Sequence, residues 1–129
     1  ISVQRIFAHH SIADLFTTKL LLQVARLKAG DPSDDSTVVG PLINTDAVHR
    51  VEAWVGEAVS QGARVLLGGK RMGSVMEATV LSHVTPTMKV SCREVFGPVV
   101  TVTPYRHFDE AITALNQSDY GNISCLPSS

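Results

Sequence analysis

Residues 91–105 read SCREVFGPVVTVTPY, and the fold turns on how this stretch is parsed. Phe96-Gly97-Pro98 is a stiff turn: glycine lets the backbone approach closely and proline fixes its own φ. Beyond it, Val99 to Tyr105 is rich in β-branched residues and predicts a strand. Roughly Asp109 to Gln117 then predicts a helix with Ala111, Ile112 and Leu115 inward. A strand feeding a helix through a short connection is one half of a layered α/β unit, and such a unit needs the same alternation elsewhere in the chain.

It is found twice more. ISVQRIF places Ile1, Val3, Ile6 and Phe7 in a short strand that ends at His9-His10. Ser11-Ile12-Ala13-Asp14 has capping-box spacing, which predicts a helix with Leu15, Phe16, Leu20, Leu22 and Leu27 as its apolar stripe, stopped by Gly30 and Pro32. Asp31 to Val39 reads as a polar loop. After the Gly40-Pro41-Leu42-Ile43 turn, Asn44 or Thr45 can cap a second helix to about Gln61. Its inner face is Val48, Val51, Trp54, Val55, Ala58 and Val59, and its outer face is His49, Arg50, Glu52 and Glu57. Arg64 to Leu67 before Gly68-Gly69 reads as a short buried strand, and Ala78 to Val84 as another. Strands alternating with helices of this length predict an α/β fold, a layered α/β/α arrangement with a mainly parallel sheet.

Composition limits what such a fold could do. The chain has 129 residues, 44% of them hydrophobic, which suits one globular domain with a real core. Eleven basic and twelve acidic residues leave a net charge of −1, so no basic field is on offer to nucleic acid or an anionic membrane. The longest apolar run, Leu20 to Leu22, is far too short to span a bilayer, and Ile1 to Arg5 lacks a signal-peptide core. Cys92 and Cys125 have no CxxC spacing, so neither a disulfide framework nor a zinc site is expected, and a cytoplasmic setting is the expectation.

Residues that could carry chemistry are few. The five histidines, His9, His10, His49, His83 and His107, show no metal-binding spacing, and no metal site is expected. Cys92 beside Arg93 is either a reactive thiol or a small residue at a strand edge, and no base is in evidence to favour the first. None of the glycine pairs has the spacing of a phosphate loop. Two Asn-x-Ser triplets, at Asn116 and Asn122, match a pattern common by chance. Glu94 is the better candidate. A carboxylate accepts two hydrogen bonds, as a vicinal diol requires, and Phe96 two residues on would face the same side of an extended segment. On residue types alone, Glu94 and Phe96 fit an ordinary charged turn at least as well as half of a nucleotide site.

Glu94-Val95-Phe96-Gly97-Pro98-Val99-Val100 resembles the E-[IV]-F-G-P-V motif of the aldehyde dehydrogenase superfamily. Other segments agree in the same order: ISVQRIF, Lys28 to Pro32, Gly40 to Ile43, Gln61 to Gly69, Thr79-Val80-Leu81, and Asn116 with Ser118 to Gly121. The resemblance covers residues 1–121, the C-terminal part of the family's catalytic domain, while residues 122–129 form a tail unlike it. It implies oxidation of a small-molecule aldehyde to a carboxylic acid with NAD or NADP, through attack by a cysteine thiolate. It further implies that Glu94 and Phe96 bind the cofactor, at the nicotinamide ribose and beside the ring, and that Ile1 lines the substrate pocket.

In the family the ISVQR-type segment directly follows the nucleophilic cysteine. These residues are therefore expected to contain no catalytic residue of their own, since the nucleophile, general base, oxyanion asparagine and cofactor domain all match segments upstream. The full-length parent is expected to be the enzyme, a homo-oligomer, and this chain alone inactive. Arg93 stands where an acidic residue is common, and Ala78 where proline is. The alternative is a non-catalytic α/β folding or interaction module derived from the family. A cysteine encoded just before Ile1 separates the two.

Overall fold

The computed structural model describes residues 4–29, 37–39, 45–73, 75–93, 95, 97–116 and 124–125. Its centre is a five-stranded sheet in the order β4-β7-β8-β1-β9, formed by Arg64–Leu67 (β4), Thr79–Ser82 (β7), Val99–Tyr105 (β8), Arg5–His9 (β1) and Ser124–Cys125 (β9). β1 runs parallel to β8 from Arg5 opposite Thr101 to His9 opposite Tyr105, β7 and β9 join in parallel, and only β4 is antiparallel. The mainly parallel sheet is therefore as the sequence predicts. Two small ribbons lie outside it. Lys28–Ala29 (β2) pairs with Thr37–Val39 (β3), and Arg71–Met72 (β5) pairs with Val75–Met76 (β6).

Pleating sends alternate side chains to opposite faces, and each face has its own helices. On one, Leu81 and Val99 join Val51, Val55 and Ala58 of α2 (Thr45–Ser60) and Val90 of α3 (Lys89–Cys92) in the main core. Phe7 and Tyr105 on the same face enclose Ala111 of α4 (Phe108–Asn116). On the other face lie Ile6, Ala8, Val80 and Val102, all buried. Here Ala13 and Thr17 of α1 (Ala13–Val24) share a cleft with Leu66, Ser82, Val102 and Pro104. Helices on both faces make the layered α/β/α arrangement. Among the described residues no helix is long and apolar enough to cross a membrane.

α2 follows its sequence closely. Val48, Val51, Val55 and Ala58 recur at helical spacing and are all buried. It ends in a Schellman motif: the Ala63 N–H donates to Ala58 O at 3.0 Å and the Gly62 N–H to Val59 O at 3.1 Å, with Gly62 at φ +111°. Val59, read as inward, is exposed. Asn44, one of the two residues read as its cap, lies outside the described residues.

α1 departs from expectation. Its N-cap is Ile12, with no side-chain cap. The Ser11 hydroxyl is instead 2.7 Å from His9 Nδ1, so the neighbouring imidazole took the hydrogen bond that the capping box was to supply. The stripe is also rotated: Leu15 and Leu22 are each 60% exposed and Leu27 is exposed, while Ala13 is the buried residue. The chain leaves the helix at Val24 and Lys28–Ala29 becomes a strand, where helix was expected to run to Gly30. Thr37–Val39, read as loop, is its partner strand. β4, read as buried, is the sheet's edge strand, with Arg64 and Val65 exposed.

Leu15 and Leu22, seven residues apart, occupy the same side of α1 and form an uncovered apolar strip. The 129-residue chain is expected to bind a hydrophobic dye through it. Leu15→Lys with Leu22→Lys should cut that fluorescence while moving stability by no more than about 0.5 kcal/mol per site, as is usual for exposed positions. Undiminished dye binding would put the exposed surface elsewhere.

Candidate active site

The chain between α3 and β8 is fastened to the start of β1 by one buried side chain. Gln4, 4% exposed, stands directly before β1. Its Nε2 donates to Val90 O at 2.9 Å and to Arg93 O at 2.7 Å, while its Oε1 accepts the Val95 N–H at 2.9 Å. Both amide hydrogens and the amide oxygen are used, so the side chain can sit only one way round: flipping it would set Oε1 against two carbonyls. The Gln4 carbonyl accepts from the Thr101 N–H at 2.9 Å. One residue thereby ties the end of α3, the 93–95 segment and β8 to the head of β1.

The turn itself is short and internally bonded. The Gly97 N–H donates to Val95 O at 2.9 Å and the Val99 N–H to Gly97 O at 2.9 Å. Pro98 O accepts the Thr79 N–H at 2.8 Å, which fastens the turn to β7. Val95 is buried in the main core with Met88, Val90 and Val99. α3 is joined to α2 at the surface by Lys89 Nζ and Glu57 Oε2, 3.3 Å apart. Ile1, Glu94 and Phe96, the three residues assigned site roles from the sequence, lie outside the described residues; what the structure gives is the frame around them.

That frame has a chemical character. The amides of Val95 and Gly97 are both spent within the protein, on Gln4 Oε1 and on Val95 O. A phosphate-binding loop needs free N–H groups aimed outward, and these two are not free.

Arg5, next in sequence, is buried as well. Its Nη1 donates to Ala114 O at 3.3 Å, in the last turn of α4, where the carbonyls carry the negative end of the helix dipole. Its Nε has no partner among the described residues, and burial pushes the guanidinium below its ordinary pKa. An arginine stays charged all the same, so Arg5 is a buried cation held by a helix end.

The remaining sequence candidates are not brought together. Cys92 closes α3 with its thiol 3.7 Å from Thr87 O, a structural contact. His9 stacks near His10 and meets the Tyr105 ring edge-on, at a strand end. His83 follows β7 at φ +57°, its ring 2.9 Å from the Ser82 hydroxyl. Among the described residues no three His, Cys, Asp or Glu side chains gather as metal ligands. Gln4 was the residue missed. Its signal was a long polar side chain between Val3 and Ile6, since a glutamine drawn into an apolar strand must find partners.

The aldehyde dehydrogenase family model matches residues 1–129. The 3-sulfolactaldehyde dehydrogenase of Priestia megaterium is 46% identical over 121 residues, 94% of this chain and 25% of that protein. The succinate-semialdehyde dehydrogenase [NADP(+)] 2 of Schizosaccharomyces pombe is 40% identical over 121 residues, 91% of this chain and 24% of that one. In structure, an NAD-dependent benzaldehyde dehydrogenase from Corynebacterium glutamicum superposes with a TM-score of 0.92 at 30% identity, covering 99% of this chain and 28% of that one. The chain thus spans about a quarter of the length of the relatives it matches.

Proposed function

The chain belongs to the aldehyde dehydrogenase family, and from that membership we propose that it is the later part of the catalytic domain of an NAD(P)-dependent enzyme that oxidises an aldehyde to a carboxylic acid. The observation that carries the reading is the Gln4 junction, which holds the segment on either side of Glu94 against the head of β1. By the family resemblance, the nucleophilic cysteine directly precedes Ile1, so the Gln4 amide ties the proposed cofactor segment to the strand that follows the nucleophile in the chain.

In this reading the Glu94 carboxylate accepts hydrogen bonds from the two ribose hydroxyls on the nicotinamide side, and Phe96 packs beside the ring. Ile1 lines the aldehyde pocket. The bound nicotinamide supplies the hydride acceptor. The chain's own residues bind and orient, while the covalent step belongs to the cysteine and base of the upstream segments. Two neighbours with different cofactors, one NADP(+) and one NAD-dependent by name, are consistent with either being used here. A cytoplasmic homo-oligomer is part of the same proposal.

Glu94→Gln in the full-length protein tests it. The amide keeps the shape and turns one acceptor into a donor, which mismatches a diol and should weaken NAD(P) binding by about 1–3 kcal/mol. Cofactor titration should show the loss, with the melting temperature nearly unchanged. Wild-type affinity and wild-type kinetics in this variant would remove Glu94 from the site.

A further inference from the structure

We propose that Gln4 is a positioning residue for cofactor binding: its amide fastens Arg93 O and the Val95 N–H, on either side of Glu94 in the chain, to the head of β1. The inference rests on the reading of Glu94 and Phe96 given above and adds a residue that touches neither substrate nor cofactor.

α3 ends at Cys92, and the chain must pass from there to the Pro98 turn before β8 begins at Val99. Five residues make this crossing, and without fixed points such a length could adopt several paths. Gly97 and Pro98 fix its far end through Val95 O and the Thr79 N–H. At its near end the Arg93 N–H donates to Lys89 O at 3.0 Å. Val90 O, Arg93 O and the Val95 N–H are the groups a regular element would have satisfied, and Gln4 satisfies all three from outside the segment. The carbonyl of Arg93 and the amide of Val95 flank Glu94 on both sides. Both are bonded to Gln4, so the described backbone on either side of Glu94 is fastened to the head of β1.

The choice of glutamine follows from that task. It must donate twice and accept once at a position that is 4% exposed. Glutamate offers no donors when ionised, methionine offers no hydrogen bonds, and asparagine is one methylene too short to span all three partners. A buried amide with every partner in place costs little, and one with partners removed leaves two carbonyls and an N–H unpaired.

The test uses the full-length protein, with cofactor affinity read by NAD(P)H fluorescence titration in the absence of aldehyde. Local order is read by hydrogen exchange over 93–97, set against 99–105. Gln4→Met is expected to raise the cofactor dissociation constant about tenfold or more and to speed exchange over 93–97 while 99–105 keeps its protection. The KM for cofactor should rise and the KM for aldehyde should not. If Gln4→Met fails to fold, Gln4→Asn, which keeps an amide and shortens its reach, should show part of the same loss. Glu94→Gln is measured alongside. If it weakens cofactor binding while the Gln4 variants bind normally or lose protection evenly across the sheet, the positioning role is overturned and the cofactor reading stands. If Glu94→Gln binds cofactor normally, the reading falls and the inference falls with it.

Discussion

Replacing Gly68 by alanine is expected to cost the domain about 3 kcal/mol or more, a large part of the stability of a protein this size. Gly68 leaves β4 at φ +76°, where an L side chain is strained by roughly 1–2 kcal/mol. A Cβ there would also collide with the backbone carbonyl oxygen of Ala78 and lie 3.0 Å from Thr79 Oγ1. Neither neighbour can yield cheaply. The Thr79 hydroxyl accepts the Gly69 N–H at 2.9 Å and donates to Glu77 O at 2.8 Å, so moving it unties both sides of the β4–β7 connection. Gly56 is the control. It lies in the middle of α2 with nothing within 4 Å of an added Cβ, and Gly56→Ala should stabilise by about 0.5–1 kcal/mol through helix propensity. Denaturant midpoints moving in opposite directions at constant slope would bear this out; a Gly68→Ala midpoint within error of the parent would refute the close approach.

The second large effect is expected at Leu81. It is fully buried in β7, in the core formed with Val51, Val55, Met76 and Val99. Leu81→Ala removes three methyl-sized groups from a site bounded by a helix and two strands, so collapse around the void is limited and the cost should be about 2–5 kcal/mol. Leu81→Met, which conserves volume, should cost less than about 1.5 kcal/mol. Equal losses in the two variants would mean that shape rather than volume governs the site.

Where local chemistry had one answer, the sequence declared it. β8 was legible because a stiff turn sets its start and β-branched residues follow without interruption, and the structure places it at Val99–Tyr105. α2 was legible because Val48, Val51 and Val55 leave a single face. α1 was not. With Leu20, Leu21 and Leu22 in succession, apolar residues point to several sides and the period does not choose among them. The sheet then chose, taking Ala13 inward and leaving Leu15 and Leu22 outside. β4 has the look of a core strand, apolar and bounded by glycines, yet edge position is a property of the whole sheet. The β5–β6 ribbon, two residues a side, is too short to carry a pattern.

The site divides in the same way. Glu94, Phe96 and Ile1 came from a motif resemblance, and such a motif names residues without saying what holds them. The Gln4 bonds span 86 to 91 positions, so no local window contains both ends. A polar side chain inside an apolar strand was the only trace, and it names a need without naming the partner.

β1 has a further consequence, for the order in which the molecule can be built. It is synthesised before both of the strands it pairs with here, Arg5 lying opposite Thr101 on one side and Ser124 on the other. At about 5–20 residues per second of translation, its first neighbour arrives on the order of 5–20 s later. Until then an apolar strand waits with both edges open, and local contacts cannot help it, because parallel pairing demands long loops closed first. The Gln4 junction shares this delay, its partners lying at positions 90 to 95. The nascent chain is therefore exposed to wrong pairing for seconds, and Arg93 and Val95 are fastened to Gln4 only when the sheet closes around β1.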